Sequence, residues 1–232
     1  MTNDLIKVDR VRSAQEAAVF EGLGARMVTV SLSPDPRFED DRTVTVEQAA
    51  EIGRALRRAT LVAAMDLQDD PSRIRRIVAA AGAKLVQPIT VVMPPVQVRV
   101  ALRDAGIGVV YGGIEIAHDD DPAWVFDGYD AAADLDAELF HADVLPEYGN
   151  SWEFLRDESP EFEEEFQIAD LNELARTHPM VVGLNFTPGN VKEILAALPE
   201  VRGIALTLAD RARRDDARWH RYGDAVRVLQ AL

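Results

Sequence analysis

Residues 5–17, LIKVDRVRSAQEA, contain the first copy of the pattern that decides the fold. An apolar run with β-branched residues opens the stretch, and an Ala- and Glu-rich segment with helical spacing follows it. Asp9 and Arg10 stand where the apolar run ends. A charged pair at the tip of a buried strand either is solvated or faces a pocket, and the rest of the sequence must distinguish the two.

Further apolar runs alternate with helical segments along the rest of the chain. Continuous apolar runs are typical of parallel strands buried on both faces, and Gly24, Gly82 and Gly106 stand where helices would end. Eight strand–helix units favour a closed (β/α)8 barrel, a TIM barrel of the α/β class, as one domain over residues 1–232. The strands are predicted at residues 5–11, 26–32, 60–66, 84–89, 107–116, 138–144, 180–186 and 202–208.

The composition limits the ligands that the chain can bind. Its 232 residues include 25 basic and 40 acidic side chains, and the net charge of −15 would repel nucleic acid and anionic membranes. An anionic ligand must therefore meet a local cluster of arginines. The chain has no cysteine, which excludes thiol chemistry. Residues 1–10, MTNDLIKVDR, lack the basic and apolar regions expected of a secretory leader, and no apolar stretch approaches 18 residues. We expect a cytoplasmic protein, monomeric or homodimeric, that binds a small and anionic molecule.

Polar residues follow the predicted strands at the end where a barrel builds its active site. All strand-to-helix loops of such a barrel lie on one face, so these residues are expected to share a pocket. They are Asp9 and Arg10 (strand one), Arg37 (after strand two), Asp66, Gln87 and Glu115 (strands three to five), His141 and Asp143 (strand six), Asn185 (strand seven) and Thr207 (strand eight).

A family resemblance is carried by segments in order along the chain: KVDRVRSAQEA, SPDPRF with TVEQAAEI, DDPSRIRRIVAAAGAKLVQP and VVGLNFTPGNVKEIL. They are similar to the K-I-C-G-I-T-x-x-E-D-A, S-P-R-Y-V-x-x-E-Q-A, D-x-V-Q-L-H-G and A-G-G-L-N-P-E-N-V-x-x-x-I motifs of phosphoribosylanthranilate isomerases. That family converts an N-glycosylamine of ribose 5-phosphate into an aminodeoxyketose by an Amadori rearrangement. It uses a general base from strand one and a general acid from strand six, so the resemblance implies the same barrel and the same chemistry here.

The catalytic positions of the motifs carry different residues in this chain. Asp9 stands at the family's cysteine base, Arg10 at the following glycine, and His141 at the strand-six aspartate. The resemblance implies Asp9 as general base and His141 as general acid, with Asp143 as an alternative acid. A carboxylate base on strand one also resembles the histidine-pathway isomerase of this fold. The structural alternatives are a salt-bridged Asp9 and a satisfied, partly buried His141.

The phosphate-binding turns of the family are also changed. In the family, glycine-rich turns after strands seven and eight present backbone N–H groups to phosphate, whereas Leu184 and Asn185 occupy the paired glycine positions here. The second turn corresponds to LTLAD, which has no glycine. Either Arg211, Arg213 or Arg214 holds the anion, with Asn185 as a further contact, or the substrate has no phosphate. These arginines are otherwise solvated and paired with neighbouring aspartates.

Arg37 and Gln87 are polar positions that match the family. The family's arginine lies over the carboxylate of the aromatic acid, and a guanidinium group suits bidentate carboxylate binding, so Arg37 predicts a carboxylate on the substrate. Gln87 is a candidate hydrogen-bond donor, or it satisfies a carbonyl at the barrel mouth. Arg10 is a candidate anion contact.

No metal or cofactor is expected. A set of carboxylate and imidazole side chains offers metal-ligating atoms, but its spacing does not require a metal; the set is Glu115, His118, Asp119 to Asp121, His141, Asp143 and Glu147. We interpret the chain as a diverged isomerase that acts by acid–base chemistry on a carboxylate-bearing sugar or amine conjugate, related to amino-acid biosynthesis or in specialised metabolism. The alternative is an inactive barrel that serves as a ligand-binding or scaffold subunit, which the loss of the cysteine and the glycine turns would favour.

Overall fold

Parallel strands close into a barrel in the computed structural model, which describes residues 3–39, 41–90, 92–211 and 218–232. Each strand pairs with the next along the chain, and the first and the eighth also pair with each other. The predicted (β/α)8 barrel is therefore confirmed. The strands are β1 (Leu5–Asp9), β2 (Met27–Ser31), β3 (Thr60–Met65), β4 (Leu85–Pro88), β5 (Gly108–Ile116), β6 (Ala137–Val144), β7 (Met180–Gly183) and β8 (Gly203–Leu208).

Helices connect the strands and cover the outside of the barrel. Several begin at the capping residues that the sequence offers: Ser13 and Thr45 each accept a backbone hydrogen bond from the third residue that follows, and Asp70 precedes Pro71. The helices are α1 (Ala14–Gly22), α2 (Val46–Ala55), α3 (Pro71–Ala81), α4 (Val96–Asp104), α5 (Asp127–Asp130), α6 (Ser151–Glu153), α7 (Ile168–Thr177), α8 (Val191–Ala197) and α9 (Tyr222–Gln230).

Two strands end two or three residues earlier than the sequence predicts, and one short strand was not predicted. β1 ends at Asp9 because Arg10 has a left-handed backbone conformation, with φ of 64°. β7 ends at Gly183, after which the N–H of Phe186 bonds the carbonyl of Leu184 in a tight turn. A short strand β9 (Trp219–His220) pairs in parallel with β8, and two residues are too few to form a recognisable apolar pattern.

The barrel interior changes from apolar to polar toward the carboxyl ends of the strands. A layer of inward-facing aliphatic side chains fills its centre: Val62, Leu85, Val110, Leu139, Val181 and Ala205. Two residues later on these strands the inward positions include Gln87, His141 and Thr207, which are buried polar residues. The polar end of the barrel is thus a pocket on the face where active sites of this fold lie.

The acidic part of the chain between β5 and α7 forms long connections around this face. It contains the short helices α5 and α6, a single π-helical turn at Phe154–Glu158 and a 3-10 turn at Ser159–Glu161. Buried Trp152, Phe154 and Leu155 fix it to the barrel. Within the described ranges, no helix combines the length and apolar character needed to span a bilayer.

Candidate active site

The end of β1 places two charged side chains inside the barrel. Lys7 and Asp9 alternate with Ile6 and Val8, which pack in the outer apolar core. Lys7 is fully buried, and its Nζ donates a hydrogen bond to Asp9 Oδ1. Asp9 is only 4% exposed, so this ion pair lies almost wholly inside the protein.

β6 brings an imidazole and a second carboxylate to the same point. His141 Nδ1 lies 3.2 Å from Asp9 Oδ2 and 3.2 Å from Lys7 Nζ. His141 Nε2 lies 3.4 Å from Asp143 Oδ1. Lys7, Asp9, His141 and Asp143 therefore form a continuous chain of buried charged groups, which we call the buried quartet.

Both carboxyl groups of the buried quartet have pKa values below the usual value of an aspartate. Burial raises the pKa of Asp9, but the charge of Lys7 and the hydrogen bond from His141 outweigh burial and hold that pKa well below its usual value. Burial also raises the pKa of Asp143, but His141, Arg218 and Arg37 lower it to about 2. Asp9 and Asp143 are therefore ionised at neutral pH.

His141 is the proton-carrying member of the quartet. Burial and the charge of Lys7 lower the pKa of His141, while its contacts with Asp143 and Asp9 outweigh them, so that the pKa is raised. Burial lowers the pKa of Lys7 against the opposing effect of Asp9. An imidazole between two carboxylates is thus biased toward its protonated, acidic form.

A glycine on β7 makes room for these side chains. Asp143 pairs with Gly183 across the sheet, and a Cβ atom at position 183 would overlap Asp143 Oδ1 and lie 3.4 Å from His141 Nε2. Any other residue at this position would displace the two side chains. Gly183 is therefore part of the architecture of the site.

Arg10 lies at the pocket wall and retains the backbone conformation of a glycine. Its φ of 64° is rare for residues with a side chain, and this is the motif position that glycine fills in the resembling family. The Arg10 guanidinium stacks 3.5 Å from the centre of the Phe38 ring, and Nη1 donates to the carbonyl of Leu208. Its own carbonyl accepts from Arg42 Nε, so the strained turn is held by contacts on both sides.

Two further arginines approach Asp143 from the loops. Arg37 forms a bidentate ion pair with Asp35, and its Nη1 lies 3.7 Å from Asp143 Oδ2. Arg218, which directly precedes β9, is buried, and its Nη1 lies 3.7 Å from Asp143 Oδ2. Arg37 has a pKa raised above its usual value, because its bonds with Asp35 outweigh burial. The pocket is thus rich in positive charge within a strongly acidic protein.

The pocket contains buried polar atoms that a ligand would satisfy. Among the described residues, Gln87 Oε1, Thr29 Oγ1 and His141 Nε2 are buried without a hydrogen-bond partner. Gln87 and Thr29 line the same pocket as Asp9, His141 and Asp143. The space between these side chains is about 20 Å³, which is room for about one water molecule. A larger ligand requires the surrounding side chains to move, and Arg37 is the most exposed of the charged ones.

Asn185 and Arg211, both predicted as substrate contacts, are not among the residues that line the pocket. Asn185 Oδ1 accepts from Ser151 Oγ and the Trp152 N–H, while its Nδ2 donates to Asn150 Oδ1. These bonds fasten α6 to the end of β7. Arg211 is exposed after β8, with its carbonyl accepting from the Glu39 N–H. Arg213 and Arg214 lie outside the described residues.

The acids on the β5 side do not assemble a metal centre. The pairing of β5 with β6 shifts register between Tyr111 and Ile114, and this bulge at Gly113 aligns Glu115 with Asp143. His118 Nδ1 lies 3.0 Å from Glu147 Oε1. In the part of the chain that the structure describes, no group of three His, Cys, Asp or Glu side chains has the geometry to hold a metal ion.

Lys7, Arg218 and Gly183 are among the residues of the site that were not predicted from the sequence. Lys7 stands two positions before Asp9 in the same strand, so the two side chains face the same side. This spacing alone could have predicted that Lys7 points into the barrel. Arg218 ends an arginine-rich segment in which several candidates looked alike. Gly183 could be recognised only once the neighbouring strand was known.

Comparisons of sequence with known proteins find no relative. No protein-family profile matches the chain, and no curated protein sequence matches it.

Comparisons of structure find close matches in fold. A phosphoribosylanthranilate isomerase from Pyrococcus furiosus is 14% identical, with a TM-score of 0.66 over 98% of this chain and 99% of that one. The enzyme from Thermus thermophilus is 18% identical, with a TM-score of 0.64 over 98% and 97% of the two chains. A third, solved in complex with reduced 1-(o-carboxyphenylamino)-1-deoxyribulose 5-phosphate, is 11% identical, with a TM-score of 0.66 over 98% and 97%. The chain is therefore a (β/α)8 barrel that shares the fold of the phosphoribosylanthranilate isomerases over nearly its full length, at low sequence identity.

Proposed function

We propose that the protein is an isomerase that converts an aldose-type N-glycosylamine into an aminodeoxyketose by acid–base catalysis. The observation that carries this proposal is the direct contact of Asp9 with His141 at the barrel mouth. Asp9 is held in its ionised, basic form, and His141 is biased toward its protonated, acidic form. An aldose–ketose isomerisation needs one base and one acid beside the same sugar.

In the proposed reaction, His141 and Asp9 each carry out one proton transfer. The imidazolium of His141 protonates the ring oxygen as the bond from C1 to that oxygen breaks, which leaves an iminium ion. Asp9 then removes the proton from C2, and the electron pair forms the enolamine that becomes the ketose. Asp9 has gained the proton that His141 has lost, so the charges of the pair are restored when that proton returns to the imidazole. Because the two side chains are 3.2 Å apart, the sugar binds beside the pair and not between them.

The positive charge around the pocket supports an anionic substrate. Arg37 is the proposed carboxylate contact, since its guanidinium group lies at the pocket beside Asp143. Arg10 and Gln87 are proposed as further contacts, and Asp143 as the group that orients His141. The substrate analogue bound to the third structural neighbour carries both a carboxylate and a phosphate. Asn185 is engaged in holding α6, so among the described residues Arg218, which lies beside Asp143, and the exposed Arg211 are proposed as phosphate contacts.

The changes on the β7 and β8 side point away from the ordinary substrate of the resembling family. Loss of two or three charge-assisted hydrogen bonds, at about 1.5–3 kcal/mol each, would lower phosphate affinity by several powers of ten unless arginines substitute. We therefore propose a related substrate, in specialised metabolism, and weak or absent phosphoribosylanthranilate isomerase activity. Expression in a tryptophan auxotroph that lacks this isomerase should give no robust growth; robust growth would contradict the proposed change of substrate.

The substrate itself can be found with the isolated protein. Aminated and carboxylated sugar phosphates, and their forms without phosphate, are screened for thermal stabilisation, and each stabilising compound is then assayed for conversion. We expect at least one of them to be isomerised. Tight binding of several compounds with conversion of none would contradict the enzymatic proposal and would support a binding protein.

A further inference from the structure

We propose that Lys7 is a positioning residue that keeps Asp9 and His141 in the charge states that proton transfer requires. Its consequence for turnover rests on the isomerase function proposed above. Its consequence for the charge states of Asp9 and His141 does not, and it is measurable without a substrate.

Lys7 acts from beneath the pocket. Its side chain is fully buried and is not among the residues that line the pocket, whereas its Nζ contacts both members of the proton-transfer pair. It rises from the part of the barrel where Val62, Val110 and Val181 fill the interior. An ammonium group in such a layer is costly unless it is paired. Its position is therefore explained by the groups directly above it, Asp9 and His141.

The charge count of the buried quartet shows what Lys7 contributes. Asp9 and Asp143 each carry a negative charge, and a protonated His141 carries one positive charge, so these three sum to −1. Lys7 brings the sum to zero. Arg37, Arg218 and Asp35 also face this cluster, and Arg37 is compensated by its bidentate contact with Asp35. Arg218 and Arg37 lie against Asp143, so Lys7 and His141 are the positive groups in direct contact with Asp9. Without Lys7, Asp9 would take up a proton more readily and would lose its function as a base.

The contacts at His141 Nδ1 give Lys7 a second role. An ammonium group has only donors, so Lys7 bonds Nδ1 when that nitrogen carries no proton, whereas Asp9 accepts from Nδ1 when it does. The neutral ring bonded to Lys7 must carry its proton on Nε2, which faces Asp143. The protonated ring bonds Asp9 instead. Lys7 therefore supplies a partner for the imidazole in the form that has given up a proton.

The unmodified protein allows a direct test by NMR. The chain contains only three lysines, Lys7, Lys84 and Lys192, so ¹⁵N labelling of lysine side chains gives a simple spectrum. The expected result is a slowly exchanging ammonium signal for Lys7 at pH 7, which shifts when the Asp9 carboxyl titrates. A neutral Lys7 amine at pH 7 would overturn the proposal.

Substitution of Lys7 tests the charge effect. In Lys7→Met, loss of an opposite charge in direct contact should raise the titration midpoint of the Asp9 carboxyl by about 1–3 pH units. The acidic limb of the activity profile should move up by the same amount once a substrate is known. Lys84→Met is the matched control, because Lys84 is exposed and lies just before β4, at the opposite end of the barrel. Unchanged Asp9 and His141 titrations in folded Lys7→Met would overturn the proposal.

The absence of cysteine permits a rescue experiment. The Lys7→Cys chain would contain a single thiol, which can be alkylated in the unfolded state with bromoethylamine to restore an ammonium group, or with iodoacetamide to give a neutral side chain of similar length. After refolding, only the aminoethylated protein should recover the low Asp9 midpoint. Equal midpoints in the two alkylated proteins would show that Lys7 acts by packing. Failure to find any substrate would leave these titrations unaffected and would count only against the isomerase function.

Discussion

The two halves of the barrel mouth differ in how they depart from the motifs of the resembling family. On the β1 and β6 side the residue types have changed, with Asp9 and His141 at the base and acid positions, yet the two side chains still meet at 3.2 Å. On the β7 and β8 side, Leu184 and Asn185 occupy the glycine positions, and Asn185 fastens α6. Different side chains can carry out the same proton transfer, whereas a phosphate site made of backbone N–H groups depends on glycines that let the backbone approach closely. We therefore expect the proposed acid–base function to depend on the β1 and β6 side.

The largest expected effect is on turnover, when Asp9 or His141 on the β1 and β6 side is replaced. Asp9→Asn removes the proposed base with little change in size, so turnover of the substrate should fall by about 10²–10⁴-fold, while binding through Arg37, the proposed carboxylate contact, should remain. His141→Asn should act similarly, and the double variant should cost less than the product of the two single effects. Steady-state kinetics of the three variants provide the measurement.

The control for this series is Asp104→Asn, at an exposed position at the end of α4. It removes the same charge far from the pocket and should retain wild-type turnover. If Asp9→Asn and His141→Asn both turn over the substrate at the wild-type rate, the assignment of these residues is wrong.

The next effect is on stability, when Asn185 after β7 is replaced, and it should leave the β1 and β6 side unchanged. Asn185→Ala removes the partners of buried Ser151, the Trp152 N–H and Asn150, and each unsatisfied buried group costs about 1–3 kcal/mol. We expect a lower free energy of unfolding in urea and unchanged titration of Asp9 and His141. Asn185→Asp keeps the acceptor and loses the donor, so its free energy of unfolding should lie between those of the wild type and Asn185→Ala. Strongly weakened ligand binding with unchanged stability would identify Asn185 as a binding residue instead.

The pH dependence of stability tests the charges of the β6 side. The pKa of Asp143 falls from about 3.9 in the unfolded chain to about 2, so its stabilisation, about 2 kcal/mol, is complete above pH 4 and is lost as the pH falls toward 2. The pKa of His141 is raised on folding, so its stabilisation is complete below about pH 6.5 and is lost as the pH rises through the folded pKa.

Urea unfolding measured from pH 2 to pH 9 compares the wild type with two variants. Asp143→Asn should flatten the acidic decline, and His141→Asn should flatten the decline on the alkaline side. Parallel curves for the wild type and both variants would contradict the charge states assigned to the quartet.

The smallest effect separates backbone strain from side-chain contact at Arg10. Arg10→Ala loses the stacking on Phe38 and keeps the left-handed conformation, whereas Arg10→Gly loses the stacking and relieves the strain. Arg10→Gly should therefore be more stable than Arg10→Ala by about 1 kcal/mol. Thermal unfolding of the two variants measures the difference, and equal stabilities would show that the turn is unstrained.

The fold and the outline of the pocket were predictable because they depend on local patterns. Alternating apolar runs and helical segments specify strand–helix units, and parallel strands of a barrel must end on one face. That rule was sufficient to predict Asp9, Arg10, Gln87, His141 and Asp143 at a common pocket, where the structure places them. The strand ends were less predictable, because β1 and β7 stop at backbone conformations that depend on tertiary contacts.

The sequence by itself determined that Asp9, Gln87 and His141 face the barrel mouth, because the two-residue period of a strand assigns alternate side chains to the same face. Only the tertiary structure decided which of them touch. Lys7 and His141 are 134 positions apart, and their contact depends on how the strands are staggered around the closed barrel. The room for Asp143 depends on a glycine in a different strand, Gly183. The Asn185 side chain bonds Ser151 and Trp152 of α6 and does not line the pocket. Distances of this kind are set by strand packing, which no local pattern encodes.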